Sequence, residues 1–215
     1  MDKKNVMISD YKNAFINNGD STSSLMWSDS GNLERMNALI KNLHISNSSV
    51  LDYGCGLAHF YEYLLKNFKE FNYTGVDIVD DFVDYNQKKY QKETNTVFYK
   101  VDDHSDVKEK YDHIFVSGVF NVLIKENYTQ QFEYIKESLL YLFSITNYSL
   151  SINFMSTNVD FINEGSYHQN VMEIYNFINR NLSKRIYLDQ SYMPYEFTIR
   201  VYKSIKINRN IYKRE

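Results

Sequence analysis

One stretch constrains this chain more than any other: Val50-Leu51-Asp52-Tyr53-Gly54-Cys55-Gly56-Leu57-Ala58. An apolar run ends on an aspartate, two glycines follow at alternate positions, and a helical pattern begins behind them. That is a strand, a tight turn and a helix start. Glycine lets backbone come close to a ligand, and the first turn of a helix carries free N–H groups. A unit of this kind directs the chain toward an open α/β sheet with its ligand at the strand ends.

The remaining patterns agree with such a sheet. Residues 1–28 are polar, with one short helical pattern near Val6 to Ile16 and loop composition from Asn18 to Ser24. Trp27, the only tryptophan, reads either as an anchor of this arm on the core or as a wall of the ligand pocket. Residues 31–43 predict a helix with Leu33, Met36, Ile40 and Leu43 on one apolar stripe. Arg35 lies off that stripe; it reads as a solvated charge, or as a partner for a carboxylate near the glycine turn. Strands are expected at Ser49–Tyr53, Tyr73–Asp77, Thr96–Val101, Tyr111–Ser117 and Asn147–Phe154. Helices are expected at 58–71 (Phe60, Leu64 and Phe68 on one face), 79–92 (Phe82 and Tyr85 inward) and 129–143 (Phe132, Ile135, Leu139, Leu142). Another follows with Val171, Ile174, Ile178 and Leu182 as its stripe, and Asn170 with Glu173 as a capping box. Arg185–Leu188 and Phe197–Lys206 have only a loop with Pro194 between them, so they are expected to pair antiparallel. The basic tail from Asn208 to Glu215 reads as frayed.

The expected architecture is α/β: a seven-stranded, mostly parallel sheet with helices on both faces and a reversed final strand. The 215 residues fit one domain, 1–215, with 1–45 as an N-terminal helical arm or cap. A formal net charge of -3 and a pI of about 6.0 give no reason to expect a nucleic-acid or anionic-membrane partner. Met1 to Lys12 has the charges but not the apolar core of a secretory signal. A single cysteine cannot form an internal disulfide, so a cytoplasmic location is expected. No metal site is read.

Three acidic positions fall at strand ends: Asp52, Asp77, and Asp102 or Asp103. Asp77 lies 21 residues beyond Gly56, a distance suited to binding ribose hydroxyls. His59 stands where a dinucleotide fingerprint has its third glycine. Asp52, two residues before the first glycine, disfavours a diphosphate and suits a ligand with a cationic end, which sets a nicotinamide oxidoreductase aside.

Leu51-Asp52-Tyr53-Gly54-Cys55-Gly56 resembles the first motif of the class I S-adenosylmethionine-dependent methyltransferases, which are Rossmann-like. Gly75-Val76-Asp77-Ile78 resembles the second, Val101-Asp102-Asp103 the third, and Tyr111 to Ser117 with Gly118-Val119-Phe120-Asn121 the fourth. Order and spacing hold over residues 49–155. The resemblance implies S-adenosyl-L-methionine as cofactor. It implies Gly54 and Gly56 beneath the methionine part, Asp52 near its ammonium, and Asp77, with Ile78 beside it, at the ribose. It also implies Asp102 or Asp103 at the adenine amine, and Ser117 and Phe120 beside the cofactor. Ala58 departs from the glycine of many relatives; a tighter loop is expected. Cys55, flanked by the glycines, reads as a buried filler rather than a nucleophile.

The acceptor side is expected from the loops after the fourth and fifth strands and from the arm. His168, in the run Asp160 to His168, is the first candidate for a general base, against a reading as a surface or capping histidine; His104 and His113 look structural. Trp27, Asn121, Tyr195 and Glu196 are candidates for lining the acceptor pocket, with a strand-turn role as the other, plainer reading of Tyr195 and Glu196. The absence of an Asn-Pro-Pro-Tyr-like tetrapeptide after the fourth strand lowers nucleic-acid substrates. Trp27-Ser28, Leu33-Glu34-Arg35 and Met193 to Thr198 resemble a little-characterised bacterial group with members among genes for sugar or surface-glycan synthesis. The expected acceptor is therefore a small molecule with a hydroxyl or amine, a sugar or glycan precursor among the options. The reading from a different class is a non-catalytic protein of this fold that binds a protein partner.

Overall fold

A computed structural model describes residues 2–27, 29–163 and 165–203, with the side chains of 29 and 30 left out. Ser28, the end of the final strand as expected from sequence (204–206) and the basic tail lie outside the described residues. Seven strands form one sheet in the order β3-β2-β1-β4-β5-β7-β6. They are β1 (Ser49–Tyr53), β2 (Asn72–Asp77), β3 (Thr96–Lys100), β4 (Tyr111–Val116), β5 (Thr146–Met155), β6 (Ile186–Asp189) and β7 (Glu196–Tyr202). The first five pair in parallel, and β7 runs antiparallel to both β5 and β6. Strand order reverses between β1 and β4, the place where an open α/β sheet leaves a crevice beyond its carboxyl ends.

Six α-helices are described: α1 (Lys3–Asn18), α2 (Asp29–Ile40), α3 (His59–Asn67), α4 (Asp80–Lys89), α5 (Tyr128–Ser144) and α6 (Val171–Asn181). Side-chain alternation along the strands divides the core. Leu51, Ile114, Val116 and Ile152 pack with Ile135, Leu139, Ile174 and Ile178 of α5 and α6. Val50 and Phe115 face the other way and pack with Leu39, Phe60, Leu64 and Val83 of α2, α3 and α4. The expected capping box of α6 is half formed: the Asn170 side chain accepts from the Glu173 N–H, while the Glu173 carboxylate takes the Tyr128 hydroxyl.

Two differences from the sequence reading place the arm. The short helix expected near Val6–Ile16 is a full α1, started by the Asp2 side chain and ended at Gly19. Its aromatics continue the core outward, with Phe15 edge-on to Phe82 at 5.5 Å and to Tyr85 at 5.4 Å. The apolar stripe expected on the next helix is rotated: Leu33 is 50% exposed and Arg35 is buried. The cause is the surface beneath α2. The face of β5 and β7 that α2 covers carries Ser151, Asn153, Thr198 and Arg200, all fully buried.

Arg200 shows how that polar face is satisfied. Its Nη2 donates to the Leu39 carbonyl at 2.7 Å and its Nη1 to the Lys41 carbonyl at 2.7 Å. Nε donates to the Ser151 hydroxyl at 2.8 Å. The last carbonyls of a helix have no intrahelical donors and carry partial negative charge, so a cation there is favourable. Replacing Arg200 by Met strands those carbonyls beneath the sheet and is expected to lower unfolding free energy by about 2–4 kcal/mol. Urea denaturation measures this, and Arg200→Lys, with one donor centre, is expected to recover only part of the loss.

Candidate functional site

The glycine turn after β1 is held by β2. The Gly54 and Cys55 N–H groups both donate to the Val76 carbonyl, at 2.8 and 2.9 Å. The Gly56 N–H donates to Asp77 Oδ2 at 2.8 Å, and the Val79 N–H to Asp77 Oδ1 at 2.9 Å. Burial pushes the Asp77 pKa up, and the backbone donors oppose that. Asp52 is buried as well and accepts a bond from the Tyr73 hydroxyl at 2.6 Å. Desolvation, with Asp77 nearby, pushes its pKa up to about 7. Ala58 closes the turn at φ 59, a left-handed conformation that carries a steric penalty of about 1–2 kcal/mol for a side chain with a Cβ.

Beyond the strand ends lies a cleft with about 1140 Å³ of empty space, open solvent included. Its floor is Asp52, Gly54 and Gly56 after β1, Asp77 and Ile78 after β2, Val101 and Asp102 after β3, and Ser117 and Val119 after β4. The arm is its roof: Lys4, Met7 and Tyr11 from α1, then Leu25 and Trp27. A third side is Asn32 and Met36 of α2, Val122, Ile124 and Tyr134.

Two roof contacts touch the floor directly. Leu25 sits on Gly56, where a Cβ would come within 2.7 Å of its Cδ2. The Trp27 ring lies against Gly118 so closely that a Cβ there would collide with it, and Gly118 has φ 76. The opposite dependence also holds. The Arg35 guanidinium lies 3.7 Å from the Trp27 ring centroid and makes a two-pronged ion pair with Glu196, its Nε to Oε2 at 2.6 Å and its Nη2 to Oε1. Glu196 Oε2 also accepts from Asn153 Nδ2 at 3.4 Å, and Asn153 Oδ1 accepts the Gly118 N–H at 2.7 Å. Trp27, Arg35, Glu196, Asn153 and Gly118 thus close a ring between the arm, α2, β7, β5 and the turn after β4. The outer edge is tied as well. Asp20 accepts from His59, Tyr85 and Lys89, and Lys12 pairs with Asp80 at 2.5 Å and Asp81 at 2.9 Å.

The structure brings some of the sequence candidates together and leaves others apart. Asp52, Gly54, Gly56, Asp77, Ile78, Asp102, Ser117 and Trp27 all line the cleft. The Asp102 carbonyl accepts from Lys4 Nζ at 2.7 Å, while the Asp103 carboxylate caps a short 3-10 turn at His104–Asp106. Phe120 is fully buried, stacked on Phe154, and does not line the cleft. Asn121 is buried, with Oδ1 accepting the Met155 N–H at 3.0 Å. Tyr195 is exposed and donates to Asp160, and Glu196 is committed to Arg35. His168 is buried outside the cleft. Its Nδ1 donates to the Ser156 carbonyl at 2.7 Å, so Nε2 is the basic nitrogen. His113 bonds the Ser149 hydroxyl, and burial lowers its pKa to about 4. The Cys55 thiol is buried and its pKa is raised well above the usual value by desolvation. Sequence reasoning did not find Lys4, Met7, Leu25, His59 or Tyr134 as cleft residues, because periodicity says nothing about where an arm folds back.

Comparison with known proteins agrees with this geometry. Residues 51–140 match the family model described as a methyltransferase domain. A protein of Mycobacterium tuberculosis, named a methyltransferase only provisionally, is 27% identical over 159 residues, which cover 73% of this chain and 93% of that one. The magnesium protoporphyrin IX methyltransferase of Synechocystis PCC 6803, solved with S-adenosylmethionine bound, superposes with a TM-score of 0.65. It is 16% identical and covers 95% of this chain and 98% of its own. An S-adenosylmethionine-dependent methyltransferase from Aquifex aeolicus superposes with a TM-score of 0.57, at 18% identity over 91% of this chain and 97% of its own. The fold is that of the class I methyltransferases. The matched domain marks the chain as an enzyme of methyl transfer, and S-adenosylmethionine is the molecule bound by the Synechocystis protein of the same fold. The lining has what such a ligand requires: glycines at Gly54 and Gly56, where a Cβ would already meet the Val119 or Leu25 side chain, and the acidic residues Asp52, Asp77 and Asp102 beyond three strand ends.

Two outcomes follow from the buried charges. Removing Glu196 leaves Arg35 buried without a counter-charge, so Glu196→Ala is expected to destabilise by about 3–5 kcal/mol. It is also expected to free Trp27, read as increased acrylamide quenching of the only tryptophan. For Asp52 the folded pKa lies above the unfolded one, so folding favours its protonated form. Its contribution to stability is full below the unfolded value of about 3.9 and is lost as pH rises through about 7. Thermal unfolding of the ligand-free protein from pH 4 to 8 is expected to show a downward slope that Asp52→Asn makes shallower.

Proposed function

We propose that this enzyme methylates a small molecule bearing an amine or an acidic hydroxyl, and that the acceptor enters between α2 and the segment after β4. The observation that supports the reading is the roof. With Leu25 on Gly56 and Trp27 against Gly118, the reacting end of the cleft is enclosed by the arm, which leaves room for a metabolite and little for a folded chain or a duplex. In this reading Gly54 and Gly56 pass beneath the methionine part of the cofactor and Asp52 meets its ammonium. Asp77 takes the ribose while holding the turn in place, and Ile78 and Asp102 flank the adenine.

The chemistry required of the protein is modest. The cofactor supplies an electrophilic methyl group on a sulfonium, and the chain has to hold the acceptor atom in line at ~3–3.5 Å. Among the described residues on the acceptor side, Asn32, Met36, Val122, Ile124 and Tyr134 include no histidine and no carboxylate. Burial pushes the Tyr134 pKa up, which makes it a hydrogen-bond donor rather than a base at neutral pH. The nucleophile is therefore one that needs little help: a neutral amine, or a hydroxyl acidic enough to ionise by itself. Trp27 and the methionines give it an apolar wall. His168 does not act as the base in this reading. A sugar or glycan precursor fits only if it presents such a group.

Calorimetric titration with S-adenosylhomocysteine tests the cofactor site. Binding is expected, and Asp77→Ala is expected to weaken it by about 100-fold because the variant loses both the ribose partner and the anchor of the turn. Absence of binding by the wild-type protein at millimolar ligand would sink the reading. Turnover on pooled amines and phenols, followed by methyl-group transfer, tests the acceptor class. His168→Gln is expected to keep turnover within about tenfold, whereas loss of a working base typically costs ~10²–10⁴-fold.

A further inference from the structure

We infer that Asn86 of α4 is a positioning residue for the methionine end of the cofactor: it fixes the peptide after Gly56, the glycine over which that end lies. The inference rests on the reading of the cleft as the S-adenosylmethionine site and deepens it.

Geometry requires a glycine at this place. Gly56 has φ 51, and a Cβ there would come within 2.7 Å of Leu25 Cδ2. The same missing Cβ leaves the backbone free to take many conformations. A loose floor weakens binding, because it must be ordered as the ligand arrives. The protein removes that freedom by holding Gly56 from two sides. Its N–H donates to Asp77 Oδ2 at 2.8 Å. Its carbonyl accepts from Asn86 Nδ2 at 2.7 Å. A peptide group is planar, so fixing the carbonyl also fixes the direction of the N–H that follows. The Gly54 and Cys55 N–H groups, by contrast, both go to the Val76 carbonyl. Gly56 is thus gripped by side chains from two other elements, β2 and α4.

Asn86 breaks the pattern of its own helix. The buried face of α4 carries Phe82, Val83 and Asn86, and Asn86 is fully buried. Phe82 belongs to the apolar cluster around Leu57, and Val83 to the one around Cys55 and Ala58. An amide at such a position is unfavourable unless its polar atoms are paired. Only one is. Nδ2 meets the Gly56 carbonyl, with Cys55 Sγ at 3.9 Å, while Oδ1 is buried without a hydrogen-bond partner among the described residues. For stability this is a poor bargain, since one buried bond is made and one buried acceptor is stranded. What the amide contributes is the direction of the turn. The helix that carries it is pinned at both ends by the arm, through Lys12 with Asp81 at 2.9 Å and Asp20 with Lys89 at 2.7 Å. Asn86 therefore transmits the position of the arm and α4 to the floor of the cleft.

Two ligands separate positioning from stability. S-adenosylhomocysteine extends over Gly56 with its amino-acid end; methylthioadenosine keeps the adenosine and the sulfur and lacks that end. Both are titrated by calorimetry into the wild-type protein and into Asn86→Leu, which keeps the volume and removes the donor. Wild type is expected to prefer S-adenosylhomocysteine. In Asn86→Leu that preference is expected to shrink about tenfold, with methylthioadenosine bound within about threefold of its wild-type affinity. Amide exchange in residues 54–58 of the ligand-free variant is expected to quicken. Where the leucine prevents folding, Asn86→Ser, too short to reach the carbonyl, takes its place with the same expectations. A merely structural role would lower the unfolding temperature and leave the ratio of the two affinities where it was. An unchanged ratio in a folded variant, or a wild-type protein that binds both ligands equally, would overturn the inference and leave the cofactor reading intact. Failure of the wild type to bind either ligand would remove the cofactor reading, and the inference with it.

Discussion

The Asp77 carboxylate is the point on which the site depends. It lies at the end of β2, out of water, and takes one backbone N–H from the glycine turn and one from the start of the next segment. Without those donors a carboxylate at this depth would be unfavourable, and without the carboxylate the Gly56 N–H would be buried and unpaired. Each half therefore makes the other tolerable. The turn is thereby fixed relative to β2, α3 starts where the turn ends, and Asp52 and His59 both come to line the cleft. The parallel pairing of β1 with β2 brings this about, since it sets Asp52 opposite Gly75 and Tyr53 opposite Val76.

A second set of buried polar contacts decides where the arm goes. The face of β5 and β7 beneath α2 is hydrophilic, which is unusual for the interior of such a sheet. Arg200 satisfies the end of α2 from below, and Glu196 satisfies Arg35 from the same strand. Hydrogen-bonded groups of this kind specify a geometry more narrowly than an apolar interface does, because a shifted helix would leave several of them unpaired. Through Arg35 that geometry reaches Trp27, and through Asn153 it reaches Gly118. The roof of the cleft is thus positioned by residues that do not themselves line it.

The parallel sheet was legible because parallel strands buried on both faces read as apolar runs, and Ser49–Tyr53 was placed to the residue. The pairing of β6 with β7 was legible because so short a connection excludes a crossover. The arm was not. Spacing placed Leu33 inward and Arg35 outward, since an arginine paired with a residue 161 positions away has no local signature. Glu196 read as a pocket-wall candidate or a strand-turn residue, and Arg35 as a solvated charge or a partner for a carboxylate near the glycine turn; that the two pair with each other is visible only in the fold. His59 entered the sequence reading only as a missing glycine; its bond to Asp20 exists only once the arm folds back onto α3.

The arm and the glycine turn form one site, closed by contacts at Gly56 and Gly118. Hydrogen–deuterium exchange with and without S-adenosylhomocysteine tests it most directly. Amides of residues 52–58 and of residues 20–27 are expected to slow together when the ligand is added. Slowing in 52–58 alone, with the arm exchanging as before, would contradict it.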